Sequence, residues 1–86
     1  MSTPGERAVR TEIENLRRKL RGDGGKNLNL REKEQEVKNV LETLNRLRRA
    51  NHGKDIFFSS QEFKTLVQGL ENILSGGGNG QGSTES

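Results

Sequence analysis

The sequence lacks the residues that most small proteins use to compensate for a thin hydrophobic core. Its 86 residues include no cysteine, tryptophan or tyrosine, and only one proline and one histidine. Without cysteine no disulfide can form, and a single histidine cannot supply the usual ligands of a structural zinc site. Only 27% of the residues are hydrophobic, so burial within one chain provides little stability. Because self-association or a partner is the remaining source of stability, we expect an oligomer.

Long apolar runs are also missing from the chain. No stretch approaches the roughly 20 residues needed to cross a bilayer, and the N-terminal residues lack the hydrophobic segment of a secretory signal. We therefore expect a protein of the cytoplasm or nucleus that is not secreted and has no membrane partner. The formal net charge of +3 permits a polyanion partner without requiring one.

Helix start and stop signals divide the chain into three amphipathic helices followed by a polar tail. The helices are predicted near residues 4–21, 30–51 and 60–75. We expect an all-α fold in which the first two helices form a hairpin and the third packs across it, within a single domain over residues 1–76. Residues 77–86 contain mainly glycine, serine, asparagine and glutamine, and this composition predicts a disordered tail.

Each helix has a recognisable N-cap. The expected caps are Thr3, Asn29 (with Asn27 as the alternative) and Ser59. The third helix has the most complete signal, because Glu62 lies where it would complete a capping box with Ser59. Phe58 and Phe63 lie on either side of that box and predict a hydrophobic staple.

The apolar stripes of the first two helices are narrow, whereas the stripe of the third helix is wide. Narrow stripes are typical of coiled-coil pairing, either within a hairpin or between chains. The candidate interface residues are Val9, Ile13, Leu16, Leu20, Val37, Leu44, Phe57, Phe58, Phe63, Leu66, Val67, Leu70, Ile73 and Leu74. The alternative is a monomeric three-helix bundle in which Phe57 and Phe58 plug one end.

Convergent titratable groups, which a catalytic site needs, are not evident in the sequence. His52 and Asp55 are near neighbours and could form a proton-transfer or metal pair. A histidine beside a helix-ending glycine is also favoured by the helix dipole, and we prefer this second interpretation. We therefore expect no enzymatic activity, no metal or other cofactor, and no small-molecule substrate.

Arginine is concentrated towards the ends of the first two helices. The candidate phosphate-binding residues are Arg10, Arg17, Arg18, Arg21, Arg46, Arg48 and Arg49. Arginine binds phosphate through paired hydrogen bonds, so these residues could contact a nucleic-acid backbone. The helix dipole also favours cations at most of these positions, and the sequence does not separate the two explanations. Since the three aromatic residues are all phenylalanine, a nucleic acid would be bound through its backbone or shape.

Together these patterns predict a non-enzymatic helical module that self-associates and binds a macromolecular partner. The partner would be a protein or the backbone of a nucleic acid. The alternative function is that of a small regulatory or viral accessory protein that binds RNA or duplex nucleic acid through the arginine clusters of the first two helices.

Overall fold

The computed structural model describes residues 2–22, 25 and 27–76. Within these ranges the chain forms three α-helices and one short 3-10 turn, and it contains no strand. The helices are α1 (Pro4–Arg21), α2 (Leu30–Ala50) and α3 (Gln61–Leu74), and the 3-10 turn spans Ile56–Ser59. The all-α, three-helix fold expected from the sequence is confirmed. The predicted disordered tail, residues 77–86, lies outside the described residues.

Helices α1 and α2 begin at the predicted N-caps. At the start of α1, Thr3 Oγ1 accepts a hydrogen bond from Glu6 N at 3.1 Å. At the start of α2, Asn29 Oδ1 accepts from Glu32 N at 2.8 Å, and Glu32 Oε1 accepts from Asn29 N at 2.9 Å. This reciprocal capping box satisfies two backbone donors that the helix itself leaves unpaired. Local sequence therefore fixes where both helices begin.

The N-cap predicted for the third helix is wrong by one residue. Ser60 caps α3, and its Oγ accepts a hydrogen bond from Phe63 N at 3.2 Å. Ser59 is instead the last residue of the 3-10 turn. Glu62 therefore occupies the second helical position, where it cannot complete a capping box. The predicted contact between Phe58 and Phe63 is present, with ring centroids 5.1 Å apart.

The core lies around α2, which packs against both α1 and α3, while the 3-10 turn packs against α1 and α3 at one end. Among the described residues, nine hydrophobic side chains are buried there: Val9, Leu16, Val37, Val40, Leu44, Phe57, Phe58, Phe63 and Leu70. The three phenylalanine rings contact one another edge to face, an arrangement that their quadrupoles favour. Phe57 and Phe58 thus close one end of the bundle within a single chain.

Two contacts show that α1 and α2 form an antiparallel hairpin. Lys19 near the end of α1 forms an ion pair with Glu36 near the start of α2, at 3.1 Å. At the opposite end, Gly5 N donates to Asp55 Oδ2 at 2.8 Å and ties the start of α1 to the segment that follows α2. A Cβ atom on Gly5 would overlap both Asp55 and Phe58, so this close approach requires glycine.

The core contains most of the candidate interface residues, which the sequence assigned to helix pairing either within a hairpin or between chains. Eight of the candidates are buried in this chain, namely Val9, Leu16, Val37, Leu44, Phe57, Phe58, Phe63 and Leu70. A partner could not reach them without unfolding the bundle, so these eight are corrected to core residues. The same amphipathic pattern marks an intramolecular core and an interface. The candidates that keep exposed surface are Ile13, Leu20, Leu66, Val67, Ile73 and Leu74.

Candidate functional site

The part of the chain that the structure describes offers surfaces for binding and no constellation typical of a metal site. Among those residues, no group of three or more His, Asp and Glu side chains could hold a metal ion. None of the described helices is long and apolar enough to cross a membrane. Two surface features stand out instead: a groove between α1 and α3, and a cleft where α2, the 3-10 turn and α3 meet.

The Asp55 carboxylate has a structural role in the described fold. Its Oδ2 accepts from Gly5 N, its Oδ1 accepts from Phe57 N at 3.0 Å, and the Thr3 side chain also bonds to it. Partial burial raises the pKa of Asp55, but these three hydrogen bonds outweigh that effect and lower the pKa below its usual value. No ion pair joins Asp55 to His52 within the described residues, so the pair considered from the sequence is not formed.

A groove runs between α1 and α3 along much of their length. Its central part has a volume of about 250 Å³ and is lined mainly by Ile13, Leu16 and Leu20 of α1 and by Leu66, Leu70 and Ile73 of α3. At one end it continues past Ile13 and Leu66 into a cavity of about 290 Å³. At the other end it opens past Leu20 and Ile73 into a cavity of about 470 Å³. We call this continuous apolar surface the α1–α3 groove.

Charges of both signs lie along the rim of the α1–α3 groove. Glu14 and Arg17 border one end, and Lys33 and Glu34 border the other. None of these four side chains forms an ion pair with another residue in the described ranges. The rim is therefore balanced in charge, with a cation next to an anion at each end.

Gly69 lies in the wall of the α1–α3 groove, in the interior of α3. A Cβ atom at this position would meet nothing within 4 Å. Glycine in a helix interior costs about 1 kcal/mol relative to alanine. Neither the backbone of α3 nor the packing of this chain accounts for a glycine here.

Arg10 stands at the end of the groove where α1 approaches the start of α3. Its Nε forms an ion pair with Glu6 Oε2 at 2.9 Å, and its Nη2 contacts the carboxylate of Glu62. Two carboxylates already contact this guanidinium, so Arg10 bridges α1 and α3 in this fold, and its role as a phosphate ligand stays a prediction. The bridge also explains the position of Glu62, which the sequence had suggested for a capping box.

Basic side chains from three consecutive segments line the second cavity, which we call the basic cleft. Arg48 and Arg49 come from the last turn of α2, His52 from the turn that follows, and Lys64 from the first turn of α3. The cleft has a volume of about 590 Å³. None of the four basic residues forms an ion pair within the described part of the chain. The cleft therefore has an excess of positive charge.

The other candidate arginines lie outside the basic cleft. Arg46 precedes Arg48 by two residues, a rotation of about 200° that places it on another face of α2. Arg17 borders the α1–α3 groove, Arg18 donates to Asn15 Oδ1 at 2.7 Å, and Arg21 ends α1. Because α1 and α2 are antiparallel, their basic ends lie at opposite ends of the hairpin. Of the seven candidates, the structure places Arg48 and Arg49 together with further basic side chains.

Lys64 and Gly69 lie on these surfaces and were not singled out in the sequence. Lys64 is a cation in the first turn of a helix, where the dipole disfavours positive charge. Gly69 is a glycine within a helix, where alanine would be more stable. Both residues depart from the preferences of their helix, and such departures are a signal that the sequence does contain.

Comparison of the chain with protein-family models, with curated proteins and with solved structures finds no significant match.

Proposed function

We propose that this protein is a non-enzymatic helical module that self-associates, and that the α1–α3 groove is its self-association surface. The observation that carries the proposal is an apolar groove, open along two helices, that the described chain does not fill. Ile73 at its rim is a large hydrophobic side chain that is 45% exposed. Covering such surface is favourable by about 25 cal/mol per Å².

A second copy of the chain is the occupant that fits the charges of the rim. In a twofold contact the same patch meets itself, so each cation of one copy can face an anion of the other. The pairs Glu14 with Arg17 and Lys33 with Glu34 allow this, whereas a strongly acidic or basic partner would leave half of them unmatched. The chain's own residues 77–86 contain no large apolar side chain that could fill the groove.

Gly69 and the size of the core give further support to helix pairing across the groove. A glycine in the groove wall lets the backbone of a second helix approach closely, which would account for an otherwise unfavourable residue. The chain buries only nine hydrophobic side chains among the described residues. A core of this size contributes only a few kcal/mol to the free energy of unfolding, and oligomerisation is a common way to add stability.

Substituting Ile73 tests the groove, because the chain offers a matched control in Ile56. Ile73→Lys puts a charge into the proposed contact and is expected to weaken self-association at least tenfold, since one buried Ile is worth about 1.5–3 kcal/mol. Ile56 is 79% exposed and borders neither the groove nor the basic cleft. Ile56→Lys adds the same charge and should leave self-association unchanged. Light scattering after size-exclusion chromatography measures both, and equal behaviour of the two variants would contradict the proposal.

A second candidate function is binding to the backbone of RNA or duplex nucleic acid. The observation that favours it is the convergence of four basic side chains on the basic cleft. All three phenylalanine rings are buried, so single-stranded bases have no exposed ring to stack on in the described surface. Titration of a labelled duplex at several salt concentrations tests this function. Affinity that does not fall as salt rises would contradict it, because phosphate contacts release counterions.

A further inference from the structure

We infer that the basic cleft, formed by Arg48, Arg49, His52 and Lys64, is a site for the phosphate groups of a nucleic-acid backbone. This inference rests on the second proposed function and assigns it to one place on the molecule. The sequence pointed to two arginine clusters on two helices. The structure brings together a different set of basic side chains, drawn from the end of α2, the turn after it and the start of α3.

The position of Lys64 distinguishes this site from an ordinary helix C-terminus. The dipole of α2 favours positive charge at its C-terminus whether or not a ligand binds. This effect accounts for the positions of Arg48, Arg49 and His52. Lys64 lies in the first turn of α3, where the dipole of that helix opposes a positive charge. Helix electrostatics therefore explains the positions of three of the four basic residues but not of the fourth. A negatively charged ligand in the cleft would favour all four.

The carboxylate at the edge of the cleft forms no ion pair with these basic side chains in the described part of the chain. Asp55 borders the cleft, but its two oxygens accept hydrogen bonds from Gly5 N and Phe57 N. Both carboxylate oxygens thus bond to the start of α1 and to the 3-10 turn. The cleft is left with several cations and no ion pair among the residues that the structure describes.

The form of the cleft favours a polynucleotide backbone over its bases. Phe58 borders the cleft but is only 7% exposed and packs against the other two phenylalanine rings, so it offers no face to a base. Ser59, which is exposed, adds a hydroxyl group that can donate to a phosphate oxygen. Cations that reach the cleft from two helices suit successive phosphates along one strand.

Two double substitutions of equal charge test the site. Arg48→Ala with Lys64→Ala removes one cation from each helix that borders the cleft. Arg31→Ala with Lys38→Ala removes the same charge from exposed positions of α2 outside the cleft. Binding of a labelled RNA or DNA duplex is followed by fluorescence anisotropy over a salt series, and circular dichroism checks that both variants remain helical.

We expect the affinity of the cleft variant for the duplex to fall at least tenfold at low salt. The slope of log affinity against log salt concentration should become shallower by about 1–2, since each phosphate contact contributes about 0.9. The control variant should change much less. Wild-type binding with equal losses in both variants would overturn the site while leaving the nucleic-acid function standing. Absence of salt-dependent binding by the wild-type protein would overturn both.

Discussion

Asp55 is the residue on which the corner between α2 and α3 depends. Its carboxylate joins the start of α1, through Gly5, to the 3-10 turn, through Phe57. Gly5 must be glycine for this approach, because any side chain would overlap Asp55 and Phe58. Their contact could not be predicted from the sequence, since the two residues are 50 positions apart and no local pattern connects them.

The hydrogen bonds to Asp55 predict a loss of stability in acid. They lower its pKa in the folded protein below the value of about 3.9 that an aspartate has in an unfolded chain. Their contribution is therefore complete above that value and is lost as the pH falls through the folded-state pKa. Asp55→Asn should lower the melting temperature at pH 7, and the difference from wild type should shrink towards pH 2. Thermal melts across this range measure it, with Glu42→Gln as an exposed control, and a difference that stays constant with pH would contradict the account.

At the scale of the elements, α1 and α2 could be predicted from local signals, but the start of α3 could not. The caps Thr3 and Asn29 act within a few residues of themselves, and the structure confirms both. Two adjacent serines precede α3, and sequence alone does not decide between them. Which serine caps α3 depends on where the 3-10 turn lies. Asp55 caps the start of that turn, and the hydrogen bond that Asp55 accepts from the distant Gly5 holds the turn in place. Ser60 then both accepts from Phe63 N and donates to Phe57 O.

The two serines allow a matched test of which residue caps the start of α3. Ser60→Ala removes the observed N-cap of α3 and should cost about 1 kcal/mol of unfolding free energy. Ser59→Ala removes an exposed hydroxyl and should change stability by less than about 0.5 kcal/mol. Urea denaturation measures both values. A larger loss for Ser59→Ala would instead support the cap that the sequence pattern suggested.

At the scale of the whole molecule, the sequence predicted the class of fold and the apolar stripe of each helix. It did not predict which of these stripes face one another. An amphipathic stripe must be covered, and the stripe does not say whether its own chain or another chain covers it. In this fold α2 packs against both neighbours, which places Val37 and Leu44 in the core. The same arrangement leaves the α1–α3 side as a groove. The groove results from the way the three helices pack together, and the sequence of a single helix does not specify that arrangement.

Sedimentation equilibrium of the unmodified protein measures its self-association without any substitution or label. The concentration series should run from about 1 µM to 1 mM, where association free energies of about 4–8 kcal/mol are observable. We predict that the weight-average mass rises with concentration from the 9.6 kDa of one chain towards twice that value. A mass that stays at 9.6 kDa over the whole series would contradict the account.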